Sequence, residues 1–67
     1  MEITKETKKA LSKSLKAKRK ICEIFEVSEQ AVNLWIKAKP THKNLFHISV
    51  IEDVFKGILE IKEPIQK

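Results

Sequence analysis

Four polar side chains that follow Ser28 are spaced so that they share one helix face. Glu29, Gln30, Asn33 and Lys37 are separated by one, three and four residues, and side chains three or four positions apart lie together on an α-helix. Their carboxylate, amide and ammonium groups place hydrogen-bond donors and acceptors side by side. This strip indicates directed hydrogen bonding to a polar ligand. The alternative interpretation is a face that is only solvated.

The side chains that most often carry catalysis or bind metals are not grouped in this sequence. Cys22 is the only cysteine, and His42 and His47 have no acidic or cysteine partner at ligand spacing. Glu52 and Asp53 are adjacent, so they point to different sides of a helix or a strand. No Gly-rich phosphate loop and no HExxH motif is present. We therefore expect that the protein is not an enzyme and binds no cofactor, small molecule or metal. We interpret Cys22 as a small packing residue.

The polar strip requires a short helix that is held from behind. Ser28 is a good N-cap because its hydroxyl can accept a hydrogen bond from an unpaired backbone N–H of the next turn. Pro40 cannot continue a helix, so we expect the helix to run from Glu29 to about Lys37. The face opposite the strip carries the apolar residues Val32, Trp35 and Ile36. We expect these side chains to be buried, Trp35 included.

Two earlier helices are expected from the same periodicity. The first covers residues 4 to about 15, with Ala10, Leu11 and Leu15 facing inward. A break near Lys16 and Ala17 then leads into a second helix of about eight residues, in which Ile21, Ile24 and Phe25 form one apolar face.

The last third of the chain fits two patterns. Leu45, Ile48, Ile51 and Phe55 have a helical period that ends at Gly57 as the residue after the cap. However, Phe46, Ile48 and Val50 alternate with polar residues as a strand would. We favour a helix over residues 44 to 56 followed by an extended tail. The alternative is a β-hairpin over residues 44 to 65.

Composition and charge limit the class of protein. The 67 residues are 42% hydrophobic and 34% charged, which is typical of one folded domain over residues 1–67. The net charge is +5 and is distributed unevenly along the chain. Two basic segments, residues 1–20 and 37–43, flank a segment whose only charged residues are glutamates. Such flanking cations suit a polyanion. A lone cysteine, with neither a signal peptide nor a membrane segment, favours the cytoplasm.

The segment from Lys18 to Lys37, KRKICEIFEVSEQAVNLWIK, resembles the helix-turn-helix of the phage Cro and repressor superfamily. Small, apolar and capping residues coincide with that pattern at Ile21, Cys22, Phe25, Val27, Ser28, Ala31, Val32, Trp35 and Ile36. Glu26 departs from it, because the family usually has Gly there. Lys16 and Ala17 also depart, since many relatives have a Gly and a hydroxyl cap, so the second helix is expected to be frayed or shifted at its start.

The resemblance implies roles for individual residues. Positions that contact bases in the family correspond to Ser28, Glu29, Gln30, Asn33, Leu34 and Lys37. Positions that hold phosphates correspond to Lys18 and Arg19, and Lys39 and Lys43 would grip the backbone beyond the recognition helix. The motif core corresponds to Ile21, Cys22, Phe25, Val27, Val32 and Trp35. Glu29 has an alternative role, which is to favour the positive end of its own helix.

The implied protein is a mainly all-α domain of four or five helices with a possible short C-terminal β-strand or hairpin. Its implied function is sequence-specific binding of double-stranded DNA as a Cro-like phage, prophage or bacterial repressor. Relatives bind two-fold operators as homodimers, and we expect an apolar set to form the dimer contact: Ile58, Leu59, Ile61 and Ile65. Two alternatives stay open, a DNA-binding module of a packaging or recombination assembly (terminase small subunit or excisionase-like) and a basic protein-interaction module.

Overall fold

The computed structural model describes residues 2–66, and they form a mainly helical fold with one small antiparallel ladder. This agrees with the fold class expected from the sequence. The fourth helix is wound with π-type hydrogen bonds, and we label it α4. In chain order the elements are β1 (Glu2–Ile3), α1 (Lys5–Lys13), α2 (Leu15–Phe25), α3 (Glu29–Lys37), a 3-10 turn (Lys43–Phe46), α4 (Val50–Ile58) and β2 (Ile65–Gln66).

Hydroxyl caps set where the first two helices begin. Thr4 accepts from the backbone N–H of Thr7 at 3.1 Å, and Ser14 accepts from that of Ala17 at 3.2 Å. The expected break near Lys16 and Ala17 is therefore wrong, because the cap at Ser14 starts α2 earlier.

The earlier start of α2 changes which apolar side chains face the core. Leu11 is fully buried and Ala10 is partly buried, as expected for inward-facing residues. Leu15, which was also expected to face inward, is 48% exposed. It is the first residue of α2 and does not continue the apolar face of α1. Ala17 and Ile21 form the buried side of α2 instead.

A tight turn joins α2 to α3. Glu26 adopts the left-handed conformation, with φ of 54° and ψ of 49°, and its N–H donates to the carbonyl of Cys22. Ser28 caps α3 by accepting from the N–H of Ala31 at 3.3 Å. Helix α3 covers the expected residues, and Ala38 ends it before the cis Lys39–Pro40 peptide.

The long helix expected over residues 44 to 56 is interrupted at His47. The backbone of His47 is extended, and its Nδ1 accepts from the N–H of Ser49 at 3.1 Å, which starts a new helical turn. This restart rotates the apolar face, so Ile48 is 65% exposed while Val50, Val54 and Phe55 are buried. The expectation that Ile48 faces the core is therefore wrong.

Gly57 lies inside α4, so its expected role after the helix cap is wrong. A Cβ at this position would lie 3.2 Å from the carbonyl oxygen of Glu52, five residues earlier, which favours a residue without a side chain. The N–H of Leu59 donates to Val54 O, also five residues earlier, at 2.9 Å. Glu60 takes the left-handed conformation after the helix, with φ of 54°.

The two ends of the chain pair with each other. Ile3 pairs with Ile65 and Glu2 with Gln66, so the C-terminal strand finds its partner at the N-terminus and not in a local hairpin. The fully buried Thr7 donates its hydroxyl to Pro64 O at 3.1 Å.

The apolar set expected at a dimer contact is used largely inside the chain. Ile61 is buried, Ile58 and Leu59 pack against the core, and Ile65 is half-buried in the ladder. One copy therefore covers most of this set, which leaves little of it for the expected dimer contact. The core itself joins all four helices, and its fully buried side chains include Leu11, Ile21, Val32, Leu45 and Phe55.

Candidate nucleic-acid interface

The outer face of α3 is a strip of solvent-accessible polar side chains. Glu29, Gln30 and Lys37 are exposed, and Asn33 is half-buried. Leu34 lies beside them with 68% of its surface exposed. Gln30, Asn33, Leu34 and Lys37 line one shallow surface depression. The predicted base-contacting residues of α3 are thus brought together on one accessible face.

The inner face of α3 is held by the core. Val32 and Ile36 are buried as expected, whereas Trp35, which was also expected to be buried, is only half-buried and packs against the core from its edge. The Trp35 ring meets Phe25 of α2 edge to face, with centroids 5.5 Å apart. This contact anchors α3 to α2 from behind, so the polar strip is turned away from the protein interior.

Two histidines extend this aromatic contact in a way that the sequence did not indicate. His42 stacks on Trp35 with ring centroids 4.8 Å apart, and His47 packs edge to face on Phe25 at 5.6 Å. Each also accepts a backbone N–H through Nδ1, from Asn44 and Ser49 respectively. His42 caps the 3-10 turn, whereas His47 accepts from the backbone of Ser49, the residue that precedes α4.

The predicted motif core packs between α2 and α3. Ile21 and Val32 are buried, whereas Cys22, Phe25, Val27 and Trp35 are partly buried and contact the core. Burial raises the pKa of the Cys22 thiol above its usual value, and the carboxylate of Glu29 adds to this rise. A protonated, partly buried thiol suits a packing residue.

Arg19 of α2 lies at the N-terminal end of α3, and Lys18 precedes it in the same helix. Lys18 is half-buried and Arg19 is exposed. Arg19 Nε lies 3.7 Å from Glu29 Oε1, which links α2 to the start of α3. Because both groups are largely exposed, this ion pair contributes little to stability. It places a cation beside the polar strip, close to the carboxylate of Glu29.

Further cations follow the C-terminal end of α3. Lys39 and Lys43 are both exposed. Lys39 shares a surface depression with Lys5 and Lys8 of α1, two residues that the sequence analysis did not single out. No sequence signal joins them, because they are brought together only by the folding of α1 against the segment after α3.

Ser28 has two uses at this site. Its side-chain oxygen accepts the N–H of Ala31, and the residue is exposed. Because a hydroxyl both donates and accepts, its proton stays available for a ligand while the cap is kept.

Among residues 2–66 we find no group of three or more His, Cys, Asp or Glu side chains that could hold a metal ion.

No protein-family model, curated protein or solved structure matches this chain, so the interpretation of the site depends on its own geometry. In the part of the chain that the structure describes, no helix has both the length and the apolar character needed to cross a membrane.

Proposed function

We propose that this protein binds double-stranded DNA in a sequence-specific manner and regulates transcription as a Cro-like repressor. The observation that carries the proposal is α3, whose polar face is accessible while its apolar face is fixed to the core. A helix placed in this way can enter the major groove, which is about 12 Å wide and admits an α-helix.

The side chains on the accessible face suit base recognition. Gln30 and Asn33 carry amides that can donate and accept at once, which matches N6 and N7 of adenine. Glu29 can accept from N4 of cytosine, and the exposed Leu34 can contact a thymine methyl group. Ser28 and Lys37 stand at the two ends of the same face.

Cations at both ends of α3 suit phosphate binding. Arg19 lies at its N-terminal end, 3.7 Å from Glu29, and Lys18 precedes Arg19 in α2. Lys39 and Lys43 follow its C-terminal end. Phosphate contacts of this kind orient a protein on the duplex, whereas base contacts carry the sequence preference.

The proposed setting is a bacterial cytoplasm or nucleoid, with the protein encoded by a phage, prophage or bacterium. The proposed active species is a homodimer on a two-fold operator, which the resemblance to the Cro and repressor superfamily supports. Sedimentation at a series of concentrations tests the dimer. A chain that stays monomeric and still binds its site with full affinity contradicts it.

Selection of duplexes from a random pool tests the proposal directly. We expect an enriched, palindromic site. Gln30→Ala and Asn33→Ala should each reduce binding by about 1–3 kcal/mol at particular base pairs. Lys18→Gln should weaken binding to all sequences alike. Glu63→Ala, which truncates an exposed side chain outside α3 and outside the cations named here, is the control and should leave the preferred site unchanged.

Two outcomes contradict the proposal. If no sequence is enriched, the chain does not read bases, and a basic protein-interaction module explains it better. If Gln30→Ala and Asn33→Ala retain the parental site, the assignment of α3 is wrong. A promoter that carries the selected site then separates regulation from packaging or recombination, since only a regulator changes transcription when it binds there.

A further inference from the structure

We infer that Lys5 and Lys8 of α1, together with Lys39, form a phosphate-binding site that extends the DNA interface beyond the C-terminal end of α3. This inference rests on the proposed function and adds two residues to it. The three lysines line one surface depression. Lys5 and Lys39 are exposed and Lys8 is half-buried, so their ammonium groups can meet a ligand from solvent.

Hydrogen bonds near the N-terminus bring these lysines together. The carboxylate of Glu2 accepts from the N–H of Thr41, and the N–H of Ile3 donates to Thr41 Oγ1 at 3.3 Å. These bonds join the residues just before α1 to the segment just after α3. As a result, Lys5 and Lys8 lie beside Lys39, although 31 residues or more separate them from it in sequence.

The charge of the depression favours an anion. Three lysines line it against one carboxylate, that of Glu2. The side-chain and backbone hydrogen bonds from Thr41 lower the pKa of Glu2 below its usual value, with a smaller contribution from Lys8. Glu2 is therefore ionised at neutral pH and is engaged with Thr41, and the depression keeps a net positive charge.

The position of the depression fits the DNA backbone. Helix α3 has nine residues, which is about 13 Å of helix at 1.5 Å per residue. Arg19 lies at one end of it and the three lysines at the other. The major groove is about 12 Å wide and is flanked by a phosphate backbone on each side, so cations beyond the ends of a helix of this length can reach those backbones. The lysines of α1 are placed for the backbone at the far end.

The salt dependence of binding tests the inference. The affinity of the full chain for its selected duplex is measured from 50 to 200 mM salt, alongside the double variant Lys5→Gln/Lys8→Gln. Each phosphate contact contributes about 0.9 to the slope of log K against log salt. We expect the slope to fall by about 2 in the variant, so that the loss of affinity over this range becomes about tenfold smaller. The selected sequence should not change.

Two control variants separate a local site from the effect of net charge. Lys56→Gln/Lys62→Gln removes the same charge from a depression that also contains Glu60, and its slope should stay near that of the parent. Lys5→Arg/Lys8→Arg keeps the charge and should retain the parental slope. Thermal unfolding followed by circular dichroism checks that the variants are folded.

The possible failures can be told apart. A parental slope in Lys5→Gln/Lys8→Gln, or an equal fall in Lys56→Gln/Lys62→Gln, overturns this inference and leaves the proposed function intact. A parent that enriches no sequence but binds duplexes with the expected slopes overturns the proposed base reading alone. A parent that binds no duplex overturns both.

Discussion

Single residues fasten α3 to the rest of the molecule. The ionised Glu2 accepts from the N–H of Thr41, and this bond fixes the segment that leaves α3. Trp35 lies between Phe25 and His42 and holds α3 from behind. The Glu2–Thr41 bond joins residues 39 positions apart in sequence. Among residues 2–66, the side chains of Gln30 and Asn33 take part in none of the hydrogen bonds that hold the fold.

Acid should weaken the contact made by Glu2. Its pKa is lower in the folded chain than the usual value of 4.5, because Thr41 donates to the carboxylate. The stabilisation is therefore present above the pKa of the unfolded state and is lost as the pH falls through the folded pKa. We expect Glu2→Gln to be less stable than the parent at pH 7 and the difference to close on acidification, as measured by urea unfolding at a series of pH values.

Glu63→Gln is the matched control for this titration, since it removes an exposed carboxylate that has no bond to Thr41. A difference between parent and Glu2→Gln that stays constant from neutral to acidic pH would show that the carboxylate of Glu2 does not stabilise the fold through its charge.

At the scale of elements, both turns that follow α2 and α4 use a glutamate in the left-handed conformation. Glu26 and Glu60 have φ of 54°, a region that glycine occupies without steric cost. The Cβ of a non-glycine residue costs roughly 1–2 kcal/mol there. The single glycine of the chain, Gly57, lies inside α4 instead.

Glu26→Gly should therefore stabilise the protein. The substitution relieves the left-handed strain and removes a negative charge from the C-terminal end of α2. These two gains outweigh the cost of the greater conformational entropy of glycine in the unfolded chain. We expect a gain of up to about 1 kcal/mol in the free energy of unfolding. Glu23→Gly, inside α2, is the control and should lose about 1 kcal/mol. Loss of stability in Glu26→Gly would contradict the geometry of this turn.

Local signals explain which elements the sequence predicted well. The bounds of α3 followed from the hydroxyl at Ser28 and from Pro40, both of which act within a few residues. The start of α2 was missed although Ser14 is the same kind of cap. The break at His47 could not be anticipated, because it depends on a hydrogen bond from Ser49 N to the imidazole and on packing against Phe25. The lysine depression beside Thr41 depends on contacts across the whole chain.

At the scale of the whole molecule, the two ends of the chain close the fold. Thr4 N donates to Pro64 O at 2.9 Å, and the buried hydroxyl of Thr7 donates to the same oxygen at 3.1 Å. These bonds and the β1–β2 ladder hold residues 61–66 against α1. A small domain has a thin margin of stability, so such long-range bonds matter to the whole fold.

Removal of the Thr7 hydroxyl tests this closure. Thr7→Val keeps the shape of the side chain but loses its bonds to Pro64 and Thr4, and we expect a loss of about 1–2 kcal/mol in the free energy of unfolding. Ser12→Ala removes an exposed hydroxyl of α1 whose only bond is local, to Lys8 O, and should change stability by less than about 0.5 kcal/mol. Equal effects of the two variants would argue against closure by Thr7.

NMR of the side-chain amides is the most direct test of whether the accessible face of α3 contacts bases. The chain has four such groups, two on α3 (Gln30 and Asn33) and two elsewhere (Asn44 and Gln66). Their NH₂ signals can be followed by NMR as the selected duplex is added. We predict large shifts for Gln30 and Asn33 and a much smaller one for Asn44. Gln66 lines the lysine depression, so its shift reports on the inferred phosphate contact instead. Unchanged signals from Gln30 and Asn33 at saturating duplex would contradict base contact by α3.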